Sequence, residues 1–269
     1  RSSFGGGQFF VHTMAGYLEA AGFEEIVPVN GDKYDIVGAD SQIITIKVEE
    51  GEQVQTEPGT MMMMSPGIKP SCITKDCMGR CIGGEPCFNI IYTAESPGFI
   101  GLTPNFPGKV VPVDLGTIEG NKLLSKDGAY MASYGDVTPN FDCNCACSAL
   151  CDGQGCVRQS ISGEGVAFLA AGGHILKKTL ADGEKIYVDP AGLMAWEESV
   201  QLTIHFGGIC CCVNKEAMFQ TELTGPGTAY LQTMGIEKFK NSVANYAIQK
   251  RGGNGYRSGA PAAHEEMDR

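Results

Sequence analysis

The chain has 269 residues, 43% of them hydrophobic, with 37 glycines, 13 prolines, 12 cysteines and a formal net charge of −11. That apolar content supports a sizeable core in a single domain, and the Gly and Pro content suits many short strands joined by tight turns. The acidic balance disfavours nucleic acid as a partner, because phosphate binding needs concentrated Lys and Arg, and no apolar run approaches the roughly eighteen residues of a membrane span.

In chain order, residues 1–11 are Gly-rich and read as an arm whose apolar groups are Phe4, Phe9 and Phe10. The first residue is Arg1, so a removed leader or a fragment is expected. A secreted or other oxidising compartment is favoured, with a mitochondrion or other organelle as the alternative. His12 to Gly22 carries Met14, Tyr17, Leu18 and Ala21 at helical spacing and ends on a glycine, which predicts a short helix. From Ile26 onward apolar and polar residues alternate, and strands and turns continue to about Met234. After Gly235, Ile236, Phe239, Val243, Tyr246 and Ala247 recur at three- and four-residue steps, which predicts an amphipathic helix to about Lys250. Residues 251–269 read as a mobile tail. The expected organisation is an arm and short helix over 1–25, a β-body over 26–235, a helix over 236–250 and the tail.

The β-body repeats itself. Gly51 to Met61, Gly120 to Met131 and Gly183 to Met194 each give a turn glycine, a short strand, a second glycine (Gly59, Gly128, Gly192) and an apolar run. The period is about 65 residues, too long for a solenoid unit and right for a small module of several strands. Three such modules imply a pseudo-threefold body.

The cysteines follow the same period. Cys72, Cys77, Cys81 and Cys87 come after the first copy, Cys143, Cys145, Cys147, Cys151 and Cys156 after the second, and Cys210, Cys211 and Cys212 after the third. Disulfides are the favoured reading, since twelve is even and each bridge would contribute about 2–4 kcal/mol to loops poor in apolar residues. A thiolate metal site is the second reading, with Cys143, Cys145 and Cys147 as its candidates, although no Cys-x-x-Cys pair occurs. Free thiols are the third.

Other candidate chemistry is thin. There is no His-x-His; His205 lies on an alternating strand and His174 in a turn. Met61 to Met64 would alternate on a strand, two in and two out, and serve as adaptable core filler. The Gly-rich stretches lack the strand and helix context of a dinucleotide loop. No catalytic residue, cofactor site or metal site is assigned.

Several segments resemble the AIM24 family: Gly51-Glu52 with Glu57 to Met61, Gly98 to Pro104, Val110 to Leu115, Leu124 to Ser133, Asp189 to Glu198, and above all Phe219 to Thr233. The match covers about residues 38–235. The resemblance implies an all-β fold, a pseudo-threefold β-prism of the kind related to the tryptophan RNA-binding attenuation (TRAP-like) fold and to double-stranded β-helices, with short helices at both ends. It brings no catalytic residues. Eukaryotic members suggest a role in mitochondrial inner-membrane organisation. The cysteine-filled hairpins depart from the family pattern.

The expected function is a non-enzymatic structural protein that associates with itself, as a homo-oligomer, or scaffolds a larger assembly. A membrane-face binding module and a thiol-based metal or redox protein are the alternatives. The arm with Phe4, Phe9 and Phe10 and the free strand edges are the assembly candidates.

Overall fold

The computed structural model describes residues 15–26, 31–73, 88–143, 157–206 and 219–253. The fold is all-β, with antiparallel sheets throughout and one helix near each end. Helix α1 covers Ala15–Ala20 and α2 covers Ile236–Gly253. Two short strands, β1 (Phe23–Glu25) and β2 (Tyr34–Val37), precede the repeats.

The first repeat holds β3 (Ile43–Val48), β4 (Gln53–Thr56), β5 (Met61–Met64), β6 (Ile68–Ile73), β7 (Asn89–Ala94) and β8 (Gly98–Leu102). The third holds β13 (Ile175–Leu180), β14 (Lys185–Val188), β15 (Leu193–Glu197), β16 (Gln201–Phe206), β17 (Phe219–Thr224) and β18 (Gly227–Gln232). The second has β9 (Lys109–Asp114) and β10 (Lys122–Lys126), then β11 (Tyr130–Cys143) and β12 (Val157–Ala171), each of which does the work of two strands. The fusion point is Gly135 opposite Gly165. A Cβ on Gly135 would sit 2.8 Å from the Glu164 carbonyl oxygen, so only glycine lets the long hairpin pass from one sheet into the next.

Each repeat builds two small sheets. A base sheet has the order β3-β8-β5, β9-β12-β11 or β13-β18-β15. A hairpin sheet has the order β4-β7-β6, β10-β12-β11 or β14-β17-β16. The repeats share their turn chemistry: Gly51, Gly120 and Gly183 all take φ between 71° and 84°, which a side chain would strain.

Successive repeats are sewn together by backbone pairing. β4 of the first hairpin sheet pairs with β11 of the second base sheet, Thr56 opposite Ala132. β10 of the second hairpin sheet pairs with β15 of the third base sheet, Ser125 opposite Ala195. The joined sheets pack over three apolar cores. The first contains Ile44, Ile46, Ile100 and Leu102 with Val54 and Tyr92, and receives Met131, Phe168 and Ala170 from the second repeat. The second contains Val111, Leu123, Ile161 and Leu169, and receives Met194, Ala195 and Tyr230 from the third. The third contains Leu180, Leu193, Trp196 and Leu223.

Phe168 is fully buried and edge-on to Tyr34, with ring centroids 5.1 Å apart. Truncation to alanine should therefore cost about 3–5 kcal/mol, read as a lower urea midpoint at unchanged slope. Burial, and after it the carboxylates of Glu197 and Glu24, push the Tyr230 hydroxyl up to about 12. An unfolded tyrosine ionises near 10, so this contribution is complete below about pH 10 and is lost as pH rises towards 12, by up to about 3 kcal/mol. Tyr230→Phe should flatten that alkaline fall in stability, measured by denaturation at pH 9 to 11.5.

Candidate functional site

Three kinds of surface could carry function: the tips of the hairpin sheets, small polar clusters on the sheets, and strand edges left without a neighbour.

The cysteine clusters all fall, in chain order, at the same connection between strands of each repeat. The first lies on and beyond β6, in the connection to β7; the second at and beyond the end of β11, in the connection to β12; the third in the connection from β16 to β17. These are equivalent hairpins of the three repeats. Cys72 is opposite Ile90 and exposed, and has no disulfide partner among the described residues. Cys143 is the last residue of β11, opposite Val157. Cys77, Cys81, Cys87, Cys145, Cys147, Cys151, Cys156, Cys210, Cys211 and Cys212, together with Phe4, Phe9 and Phe10, lie outside the described residues. Among the described residues there is no cluster of three or more His, Cys, Asp or Glu that could hold a metal ion.

Two polar clusters stand on the described sheets. Lys33 donates to Glu52, and that bond, with the Glu49 backbone N–H donating to the same carboxylate, holds Glu52 below the usual carboxylate range. Tyr134 lies beside them in a cleft also lined by Val48 and Val54, with Lys33 5.8 Å from its ring centre. The Lys33 and Glu52 charges neutralise each other, so this cleft presents no net charge of its own. On the third hairpin sheet Lys185 donates to Glu222 at 2.7 Å, and the His205 ring sits 4.3 Å from Tyr187. Lys185, and after it Tyr187, lower the Glu222 pKa. Both Lys185 and Tyr187 face solvent, and His174 stands elsewhere, 3.5 Å from Glu25.

The methionine run does not alternate as expected. A β-bulge between Met61 and Met63 breaks the pattern, and Met61, Met62 and Met63 are all exposed. The same bulge recurs between Tyr130 and Ala132 and between Leu193 and Ala195, so Met62, Met131 and Met194 are structural equivalents. Phe99 on the neighbouring strand β8, and Val37 on β2 at the far edge of the same sheet, are exposed as well. β5 is also an edge: among the described strands it pairs only with β8, as β14 pairs only with β17.

The family model for mitochondrial biogenesis AIM24 matches residues 34–234. This chain belongs to the AIM24 family. An uncharacterized protein from Streptococcus pyogenes serotype M6 is 27% identical over 218 residues, covering 76% of this chain and 86% of that one. A crystal structure of a Streptococcus pyogenes protein has the same fold, with a TM-score of 0.62 at 23% identity, over 80% of this chain and 99% of the other. No helix among the described residues is long and apolar enough to cross a membrane. Within this AIM24 member, the edges β5 and β14 and the apolar surface around Met62 were the features that sequence reading missed. In the sequence the three Gly-to-Met segments look alike, and only the burial of Met131 and Met194 against the exposure of Met62 separates them.

Removing the exposed partner of the best-buried surface cation offers a check on this local geometry. Lys178 is nearly buried and bonds Glu184 at 2.7 Å and the Ala21 carbonyl at 2.6 Å. Glu184→Gln should lower stability near neutral pH and flatten the acid limb of the stability profile. The depressed Glu184 pKa contributes above the ordinary carboxylate range and is lost as pH falls through its folded value. Denaturant melts between pH 2.5 and 7 read both effects.

Proposed function

We propose that this AIM24-family chain is a non-enzymatic structural protein that works by associating with copies of itself. The observation that carries the reading is that β5 and β14, the counterparts of strands paired at the two repeat junctions, are themselves edges without a neighbour among the described residues. An edge strand offers a row of unpaired backbone donors and acceptors, and natural sheets cover or charge such edges unless they are to be paired. Apolar exposure at the same place supports it: Met61, Met62, Met63 and Phe99 lie together on the first base sheet, which a strictly monomeric protein would tend to make polar. The described titratable clusters are ion pairs on sheet surfaces, which suits a structural rather than a catalytic role.

Sedimentation velocity from low micromolar to about 100 micromolar tests this. Species heavier than the 28.5 kDa chain, growing with concentration, are expected. A single 28.5 kDa species across the whole range overturns the reading.

In the same reading, disulfides staple the hairpin tips. The paired ends of each hairpin, Ile73 with Asn89, Cys143 with Val157 and Phe206 with Phe219, hold both ends of each cysteine-bearing connection one strand spacing apart. Short contour lengths then favour closure within a cluster. The clusters of five and three leave one cysteine each, which favours a bridge between the second and third. Peptide mapping of unreduced protein should recover such pairs, and free thiols throughout would refute them.

A further inference from the structure

Each base sheet after the first buries one face in the core of the repeat before it. Met131, Ala132 and Phe168 of the second repeat enter the first core, and Met194, Ala195 and Tyr230 of the third enter the second. Among the described residues the first repeat has no predecessor. Met62 is 63% exposed, where Met131 and Met194 are 1% and 0% exposed. The last repeat is unfinished in the complementary way. Val54 and Thr56 on β4, and Leu123 and Ser125 on β10, are fully buried, while their counterparts on β14, Ile186 and Val188, are only half-buried. Tyr187, the counterpart of Leu124, is 52% exposed.

The geometry points to a second copy of this chain as the missing neighbour: β14 of one copy pairs with β5 of the next, so that the third repeat of one chain receives the first repeat of another. This rests on the self-association reading above and gives it a site. The register follows from the two junctions already present. Thr56, Ser125 and Val188 each stand five residues before Met61, Tyr130 and Leu193, the residues that enter the bulge. The existing junctions place Thr56 opposite Ala132 and Ser125 opposite Ala195, and the equivalent of those two alanines is Met63. Val188 therefore pairs with Met63, Tyr187 with Met64 and Ile186 with Ser65.

In that register Met62 and Met63 reach the partner's third core, the one formed by Leu180, Leu193 and Trp196. Tyr187 lies along Met64, as Leu124 lies along Trp196 within the chain. Unbranched thioether side chains can conform to a surface that is not fixed by their own fold. The contact joins two different patches, so each added copy leaves the same two ends free, and the product is a ring or a filament depending on whether the rotation closes.

Two single variants test the seam, Met62→Lys and Tyr187→Asp. Both side chains are exposed in the free chain, so circular dichroism should match wild type; the urea midpoint should hold for Met62→Lys and fall slightly for Tyr187→Asp, which loses the His205 ring contact and sets a second carboxylate beside Glu222. Each variant alone should weaken association at least about thirtyfold, the loss expected of a central interface residue. Met62→Leu should retain it. Mixed together, the two variants should form a 1:1 heterodimer that does not grow, because the Met62→Lys chain keeps a working β14 end and the Tyr187→Asp chain a working β5 end. If wild type assembles and both variants assemble equally well, the seam is wrong while self-association stands. If wild type remains a single chain at all concentrations, both fail together. If wild type assembles and each variant alone fails but the mixture stays monomeric, the head-to-tail arrangement is wrong.

Discussion

Backbone pairing between repeats, β4 with β11 and β10 with β15, is the constraint on which the rest of the structure depends. It makes the hairpin sheet of one repeat and the base sheet of the next a single surface. A base sheet so placed has a core on each face, and its strands lose the usual apolar and polar alternation. β12 shows this directly: Phe168 and Ala170 enter the first core while Ala167, Leu169 and Ala171 enter the second. A slip of one residue would exchange the aromatic ring for small side chains in both cores at once, which fixes the register strongly. In the first base sheet, with one core instead of two, β3 alternates normally and keeps Thr45 and Lys47 on its other face.

The remaining edges of the base sheets are covered from within the chain. β2 pairs with β3, and β1 pairs with β13, so the segment before the repeats touches both the first and the third. For the second repeat the cover is one side chain: buried Gln42 accepts from the Val110 N–H at 2.9 Å, and its backbone N–H donates to the Gly108 carbonyl. Lys178 anchors the β1 side. A buried ammonium costs several kcal/mol unless it is paired and hydrogen-bonded. Here it meets Glu184 and the Ala21 carbonyl, with Phe23 5.6 Å away. β6 and β16, the outer strands of the first and third hairpin sheets, are open edges as well; β5 and β14 differ from them in being the counterparts of strands that are paired at the two repeat junctions.

Much of this was legible in the sequence. The three Gly-to-Met segments gave the period, and strands such as Lys185–Val188 and Val110 to Val113 lie where alternation and β-branching put them. The repeat resemblance, the all-β class and the AIM24 family follow from the same residues. The methionine run misled because alternation is a local rule and a bulge is not local; it is set by what the partner strand requires. The edges were invisible for a related reason. Gln53 to Thr56, Lys122 to Lys126 and Lys185 to Val188 look alike as strands, and only their neighbours in space distinguish a sewn junction from an open one.

The position of the cysteines has a physical logic of its own. Along β6, burial ends at Ile68, and Lys69, Pro70, Ser71 and Cys72 are exposed. Along β16, Gln201 and Thr203 are exposed, and the apolar contacts of the third core lie nearer Leu202 and Val200. The hairpin sheets thus run out past the cores that hold their roots. A two-stranded hairpin without a packed face is marginal in water. The cysteine-bearing connections follow the ends of these hairpin strands, and a cross-link has most to add where burial gives out. On the disulfide reading proposed above, the protein would use two kinds of attachment in two zones: strand pairing over apolar cores at the base, and thiol cross-links beyond them.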